Sequence, residues 1–163
     1  MAPGPIVSRL CPNQRVAIMI IRPATAADQK TITAIIRAVQ INPMDLKWQN
    51  FVLAVDGADG AIVGTAQIKQ HGDGSHELAS IATLPSYRGR GIASQLIHHL
   101  LAQHPDTLYL TCIDTMGRFY KPFGFRTITA KELPPYFRRL LRVAATFRFL
   151  SDDGHRLLVM RRD

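Results

Sequence analysis

A turn rich in glycine and arginine lies directly before a predicted helix. It reads Arg88-Gly89-Arg90-Gly91, and apolar residues at 93, 96, 97, 100 and 101 then form the stripe of an amphipathic helix. The first turn of a helix has unpaired N–H groups and a partial positive charge, so it binds anions. Glycine removes the Cβ atoms that would hold an anion away, and guanidinium groups bond phosphate oxygens in pairs. The turn therefore predicts a phosphate or pyrophosphate site, to which Ser94 can add a hydroxyl.

Two motifs, in this order, resemble those of the GNAT superfamily of acyl-CoA-dependent N-acetyltransferases. Arg88-x-x-Gly91-x-Ala93 is similar to the family signature Arg/Gln-x-x-Gly-x-Gly/Ala, and the segment from Phe119 to Phe125 resembles Phe-Tyr-x-x-x-Gly-Phe. The resemblance extends over roughly Ile20 to Phe125. It implies transfer of an acetyl group from acetyl-CoA to a primary amine of an unidentified acceptor. It also implies direct attack within a ternary complex.

The resemblance gives roles to particular residues. Glu77 matches the position of the general base in histone-acetyltransferase-like members; the alternative is a strand-end glutamate in solvent or in a salt bridge. Tyr120 is expected to protonate the sulfur of CoA as it leaves, because a phenol stays protonated at neutral pH; the alternative is a buried aromatic residue. The expected cofactor-binding residues are Ile81, Ala82, Thr83, Arg88, Gly89, Arg90, Gly91, Ile92, Ala93 and Ser94. The first three are expected to pair through their backbone with the pantetheine arm, between strands 77–83 and 108–113.

One loop departs from the family pattern. Ile113 or Asp114, and Met116, stand where many members carry an Asn and an Ala. The sequence therefore assigns no cofactor contact to this loop.

The elements that must position these residues follow from periodicity and turn signals. Strands are predicted at 18–22, 51–55, 61–69, 77–83, 108–113, 125–129 and 157–160. Helices are predicted from Thr25 to about Gln40, after Gly91, at 115–121 and within 131–149, with a short helix or turn at 45–49. Glycine-bearing turns join the strands from 51 to 83, so they form an antiparallel meander. Strand 108–113 can return parallel beside strand 77–83. The predicted fold class is α/β, of the α+β type: a mixed, mainly antiparallel twisted sheet with helices on both faces, GNAT-like.

A dinucleotide-binding fold is the alternative interpretation of the same glycines. Gly89-x-Gly91-x-x-Ser94 resembles a degraded Rossmann fingerprint, with Asp114 as the ribose-binding acid. That fold requires parallel strands joined by crossover helices. The antiparallel meander predicted from residue 51 to 83 disfavours it.

Length and composition indicate one domain. The chain has 163 residues, of which 47% are hydrophobic and 20% charged, as is ordinary for a globular enzyme. Residues 1–18 are predicted to form a flexible tail and residues 19–163 a single N-acetyltransferase domain. No apolar run approaches the ~20 residues needed to span a bilayer. The two cysteines suggest a reducing cytoplasm, and because neither Cys nor His shows metal-ligand spacing, no metal is predicted.

The net charge of +8 favours anionic partners. Acetyl-CoA accounts for part of this charge. Arg138, Arg139, Arg142 and Arg148 lie on the segment that in relatives borders the acceptor pocket. The expected acceptor is therefore a small-molecule or peptide amine that carries a carboxylate or phosphate.

Three further expectations concern partners. No nucleic acid is expected, since no recognition motif is present, and a homodimer is compatible with the sequence. The alternatives to an enzyme are a CoA-binding regulatory or interaction module without catalysis, and a basic protein that binds nucleic acid or a membrane surface.

Overall fold

A computed structural model describes residues 18–148 and 154–163. The strands are β1 Met19–Pro23, β2 Phe51–Asp56, β3 Ile62–Gln70, β4 His76–Thr83, β5 Leu108–Ile113, β6 Arg126–Thr127 and β7 Leu157–Arg162. The α-helices are α1 Gln29–Ala38, α2 Ile92–Gln103, α3 Gly117–Tyr120 and α4 Pro135–Arg148. Within these residues no helix is long and apolar enough to cross a membrane.

The strands form one sheet in the order β1-β2-β3-β4-β5-β7-β6. Neighbouring strands are antiparallel except for β4 and β5, which are parallel. These two strands share a single register pair, Glu77 with Tyr109, and diverge beyond it. The mixed, mainly antiparallel sheet is confirmed, and the Rossmann alternative is excluded. The splay between β4 and β5 opens a gap in the middle of the sheet.

Helices cover both faces of the sheet, as predicted. Alternate side chains of β2 point to opposite faces: Leu53 packs against α1, whereas Val52 and Ala54 pack against α2. On β5, Tyr109 packs against Phe137 of α4. Leu53 pairs with Thr65 of β3, and Lys69 of the same β3 face is joined through Glu77 to Tyr109. Tyr109 therefore lies on the same face of the sheet as Leu53. Thus α1 and α4 cover one face of the sheet and α2 the other.

Several predicted elements are shorter in the structure. Predicted strand 125–129 is reduced to β6, because Arg126 and Thr127 pair with β7 whereas Thr129 caps a 3-10 helix through Glu132. Predicted helix 115–121 keeps only the four residues of α3 between two 3-10 turns. The predicted turn at 45–49 is a 3-10 helix at Trp48–Asn50. Residues 1–17 of the predicted tail, and Phe149 of the predicted last helix, lie outside the described residues.

Candidate active site

The glycine–arginine turn lies against the N-terminus of α2. Gly91 is the N-cap residue with a φ of 73°, and Gly89 has a φ of 76°. Both are left-handed conformations that favour glycine. A Cβ built at either position would meet no atom within 4 Å, so the space in front of the turn is open to a ligand. The adjoining cavity of about 270 Å³ is lined by Thr83, Tyr87, Arg88, Gly89, Gly91, Ile92, Ala93, Ser94 and Phe119.

Thr83 lines the same cavity and carries a buried hydroxyl. Thr83 Oγ1 has no hydrogen-bond partner among the described residues, and an unpaired buried polar atom costs free energy. The free amides of the α2 N-terminus border the same cavity, and they fit the pyrophosphate of CoA.

The two arginines of the turn differ in their surroundings. Arg88 is exposed at the cavity, where its guanidinium can reach a phosphate. The Arg90 guanidinium lies 4.7 Å from the centre of the Tyr87 ring and donates to the Ser86 carbonyl at 3.1 Å. The Tyr87 hydroxyl in turn donates to Asp56 at 3.0 Å. Arg90 therefore braces the turn, and its contact with the cofactor stays a prediction.

Strand β4 contains a β-bulge beside the gap. Gln67 pairs with Ala79 whereas Thr65 pairs with Ala82, so β4 carries one extra residue between these pairs. Ser80 has a φ of 54° there. Thr65 Oγ1 donates to the Ser80 carbonyl at 3.0 Å, and Gln67 Nε2 donates to Ser80 Oγ at 2.7 Å. Bulges bend a strand and redirect its backbone groups.

Three residues predicted to contact pantetheine lie at the bulge and beyond it. Ile81, Ala82 and Thr83 belong to the part of β4 that lies past its single pair with β5. The sequence located this segment but contained no signal for the bulge, because a serine in a left-handed conformation has no characteristic pattern.

Tyr120 lies at the end of α3 and is 9% exposed. Its ring packs at centroid distances of 5.0 Å from Phe119 and 6.4 Å from Phe125. Burial raises the pKa of the Tyr120 phenol to about 12, and the nearby Cys112 adds to the increase. Tyr120 is therefore a buried aromatic residue and also a phenol that keeps its proton at neutral pH.

Glu77 is buried, with 5% of its surface exposed. One carboxylate oxygen lies 2.9 Å from His71 Nε2, and the other accepts a hydrogen bond from Thr111 Oγ1 at 2.6 Å. The His71 ring stacks on Tyr136 at 3.4 Å between centroids. The alternative of a strand-end glutamate in solvent is therefore wrong, whereas the contact with His71 fits the alternative of a glutamate held in a salt bridge. No role was predicted for His71 from the sequence, although His71 and Glu77 flank one tight turn and that spacing could have indicated their contact.

A cavity of about 310 Å³ lies where β4 and β5 diverge, on the α1 and α4 face. It is lined by Ile41, Asn42, Lys69, Glu77, Ala79, Ser80, Thr111, Cys112, Ile113, Tyr136, Leu140 and Leu157. We call it the β4–β5 cavity. A larger cavity, of about 530 Å³, lies at the C-terminal end of α2 and shares no residue with it.

Among the described side chains, Arg138, Arg139 and Arg142, which were predicted near the acceptor, do not line the β4–β5 cavity. Helix α4 contributes Tyr136 and Leu140 instead. Arg138 and Arg139 are exposed and donate to the carbonyls of Leu133 and Pro135, at 3.1 and 3.4 Å. Arg142 is also exposed, and the side chain of Arg148 lies outside the described set. The reason is the phase of the helix: its apolar stripe, and not its basic face, is turned toward the sheet.

Comparisons with known proteins agree with this architecture. The family described as Acetyltransferase (GNAT) domain matches residues 47–127. No curated protein sequence matches the chain.

Solved structures with the same fold include three that cover most of this chain. N-acetylglutamate synthase from Neisseria gonorrhoeae, complexed with coenzyme A and N-acetyl-glutamate, is 21% identical over 90% of this chain and 35% of that chain, with a TM-score of 0.71. Rv2747 from Mycobacterium tuberculosis, in complex with CoA and NLQ, is 19% identical over 88% of this chain and 98% of that chain, with a TM-score of 0.64. Escherichia coli ElaA is 18% identical over 90% of this chain and 100% of that chain, with a TM-score of 0.65.

The splayed, mainly antiparallel sheet with helices on both faces defines the class of the fold as α/β. Within that class, the chain belongs to the GNAT acetyltransferase family, in agreement with its two sequence motifs. It spans about a third of the N-acetylglutamate synthase chain and nearly the full length of Rv2747 and ElaA.

Proposed function

We propose that this protein is an N-acetyltransferase that transfers an acetyl group from acetyl-CoA to a primary amine. The observation that carries the proposal is the cavity at the α2 N-terminus, where the left-handed Gly89 and Gly91 leave open space in front of the first-turn amides. The presence of CoA in the Neisseria and Mycobacterium structures supports this choice of co-substrate.

In the proposed complex, the amides at the α2 N-terminus and Arg88 bind the pyrophosphate. The segment from Ile81 to Thr83 pairs with the pantetheine arm in the gap beside β5. A backbone N–H freed by the bulge then polarises the thioester carbonyl, since a preorganised amide stabilises the negative charge that develops on this oxygen.

In the proposed reaction, Glu77 takes one proton from the acceptor's ammonium, because an alkylamine is protonated at neutral pH. The amine nitrogen that this frees attacks the carbonyl carbon and releases its second proton to solvent as the amide forms. The carboxylate already accepts bonds from His71 and Thr111, but it has about four lone-pair sites and can accept another proton donor. The carbon–sulfur bond breaks as the carbon–nitrogen bond forms. The phenol of Tyr120 gives its proton to the departing thiolate. His71 is a positioning residue that holds Glu77 through their hydrogen bond.

The substitution Gly91→Glu tests the cofactor site. A carboxylate at this position would repel the pyrophosphate and fill its space, so we expect no measurable acetyl-CoA binding by calorimetric titration, against micromolar affinity for the unchanged protein. Gly60→Glu is the matched control. Gly60 has a φ of 74°, and an added Cβ would meet no atom of the described residues within 4 Å. Gly60→Glu therefore introduces the same backbone strain and the same charge at a position away from the glycine–arginine turn.

Two outcomes would count against the proposal. Undiminished affinity in a folded Gly91→Glu protein would remove its basis. Tight acetyl-CoA binding without CoA release, over a panel of amines, amino acids and peptides, would favour a CoA-binding module without catalysis.

A further inference from the structure

Two opposite charges lie on one wall of the β4–β5 cavity without forming an ion pair. Lys69 and Glu77 are directly paired across β3 and β4, so their side chains project from the same face with Cβ atoms about 4.5–5.5 Å apart. Both line the cavity. The Lys69 ammonium donates to the Met44 carbonyl at 3.0 Å, while the Glu77 carboxylate contacts His71 and Thr111. No salt bridge joins Lys69 to a carboxylate within the described residues.

Each charged group keeps capacity for a ligand. An ammonium has three donors, of which Lys69 uses one on Met44. Glu77 is 5% exposed, and a buried carboxylate gains from a cationic partner, because charge-assisted hydrogen bonds are the stronger ones. A molecule with an ammonium and a carboxylate a few bonds apart can engage both groups.

We propose that the acceptor is an α-amino acid, bound with its ammonium at Glu77 and its carboxylate at Lys69. This inference rests on the proposed acetyl transfer, which needs the amine beside Glu77. A cavity of about 310 Å³ accommodates a molecule of this size. The apolar residues Ile41, Leu140 and Leu157 complete the lining and are available to the amino-acid side chain. A polyamine or a lysine-rich peptide would instead place a second cation near Lys69.

Paired acceptors and paired variants test the proposal. The twenty standard α-amino acids, and the carboxamides of those that react, are assayed for CoA release with the unchanged protein and with Lys69→Met, Lys69→Arg and Lys30→Met. We expect Lys69→Met to raise KM for the amino acids by about 10- to 100-fold, as loss of a charge-assisted bond predicts, with little change for the carboxamides. Lys69→Arg should restore most of the affinity. Lys30→Met, at an exposed position of α1, should change nothing.

The test separates failure of this proposal from failure of acetyl transfer. Acetyl-CoA affinity, measured by calorimetry, should be equal in all four proteins. If turnover is absent, amino-acid binding is measured directly by calorimetry on the same proteins, with and without CoA. Preference for carboxamides or histone-like peptides over amino acids, or amino-acid binding that Lys69→Met leaves unchanged, would overturn the assignment while leaving the CoA site intact.

Discussion

At the scale of single residues, Tyr120 can be tested with the smallest possible change. Tyr120→Phe keeps the ring that packs against Phe119 and Phe125, so we expect the fold and acetyl-CoA affinity to be preserved. Turnover should fall by at least about 10²-fold, the lower end of general-acid effects. Because burial raises the pKa of this phenol to about 12, the phenol keeps its proton between pH 6 and 9 and should add no alkaline limb to the pH–rate profile. Full turnover of Tyr120→Phe, with chemistry rate-limiting, would assign the proton transfer to another group.

The residues of the candidate site differ in how far the sequence could predict them. Gly91 and Tyr120 belong to contiguous motifs, and a motif fixes its own local geometry. Lys69, His71 and Thr111 belong to no motif. Their proximity to Glu77 depends on the register of the β3–β4 hairpin and on the single pairing of β5 with β4. Such cross-strand contacts are set by tertiary structure. The sequence could therefore name the carboxylate, and the shared turn could have indicated His71, but Lys69 and Thr111 could not be predicted as its neighbours.

At the scale of elements, the start of α1 gives a prediction about stability. The Asp28 carboxylate accepts two bonds from the Arg22 guanidinium, at 2.8 and 2.9 Å, and further bonds from the backbone and hydroxyl of Thr25. The Arg22 bonds, and then those of Thr25, hold the pKa of Asp28 well below its usual range although burial opposes the shift. A carboxyl whose folded-state pKa is lowered stabilises the fold above its unfolded pKa of about 3.9. This contribution is lost as pH falls toward the folded-state value.

We therefore expect Asp28→Asn to cost about 2 kcal/mol of unfolding free energy at pH 7, the order of lost charge-assisted bonds. The deficit should shrink progressively below about pH 4. Urea denaturation of both proteins from pH 2.5 to 7 measures this difference. Asp106→Asn, at an exposed loop position, is the control. Its free energy of unfolding should depend on pH in parallel with that of the unchanged protein. A deficit that stays constant down to pH 2.5 would mean that the charge of Asp28 contributes nothing.

Prediction of the elements themselves succeeded where hydrophobic period and turn residues agreed. Strand β5 is at the predicted position, α4 lies within the predicted range 131–149, and a Thr25–Asp28 capping interaction lies at the predicted start of the first helix. The β4 bulge was not predicted, because it depends on Thr65 and Gln67 of the neighbouring strand. The shortening of β6 likewise depends on Thr129, which serves a helix cap instead of extending the strand.

At the scale of the whole molecule, the sheet separates two binding surfaces. The cavity at the α2 N-terminus lies at one end of β4, whereas the β4–β5 cavity opens on the face covered by α1 and α4. The two cavities have no lining residue in common, so an acyl donor and an amine can be bound together. The gap between β4 and β5 is where their reactive groups would meet. This arrangement is suited to direct transfer between two bound substrates.

The remaining route would pass the acetyl group through a cysteine, and the structure makes this route unfavourable. Cys112, the cysteine within residues 18–148 and 154–163, lines the β4–β5 cavity. Burial, and then the charge of Asp114, raise the pKa of its thiol to about 11, whereas the nucleophilic form is the thiolate. We therefore expect initial-rate plots for acetyl-CoA and amine to intersect, as for a ternary complex, and Cys112→Ala to keep at least about a third of the turnover. Parallel initial-rate plots for the unchanged protein, loss of turnover in Cys112→Ala, and an acetylated Cys112 detected by mass spectrometry would together establish a covalent intermediate. Direct attack would then be wrong.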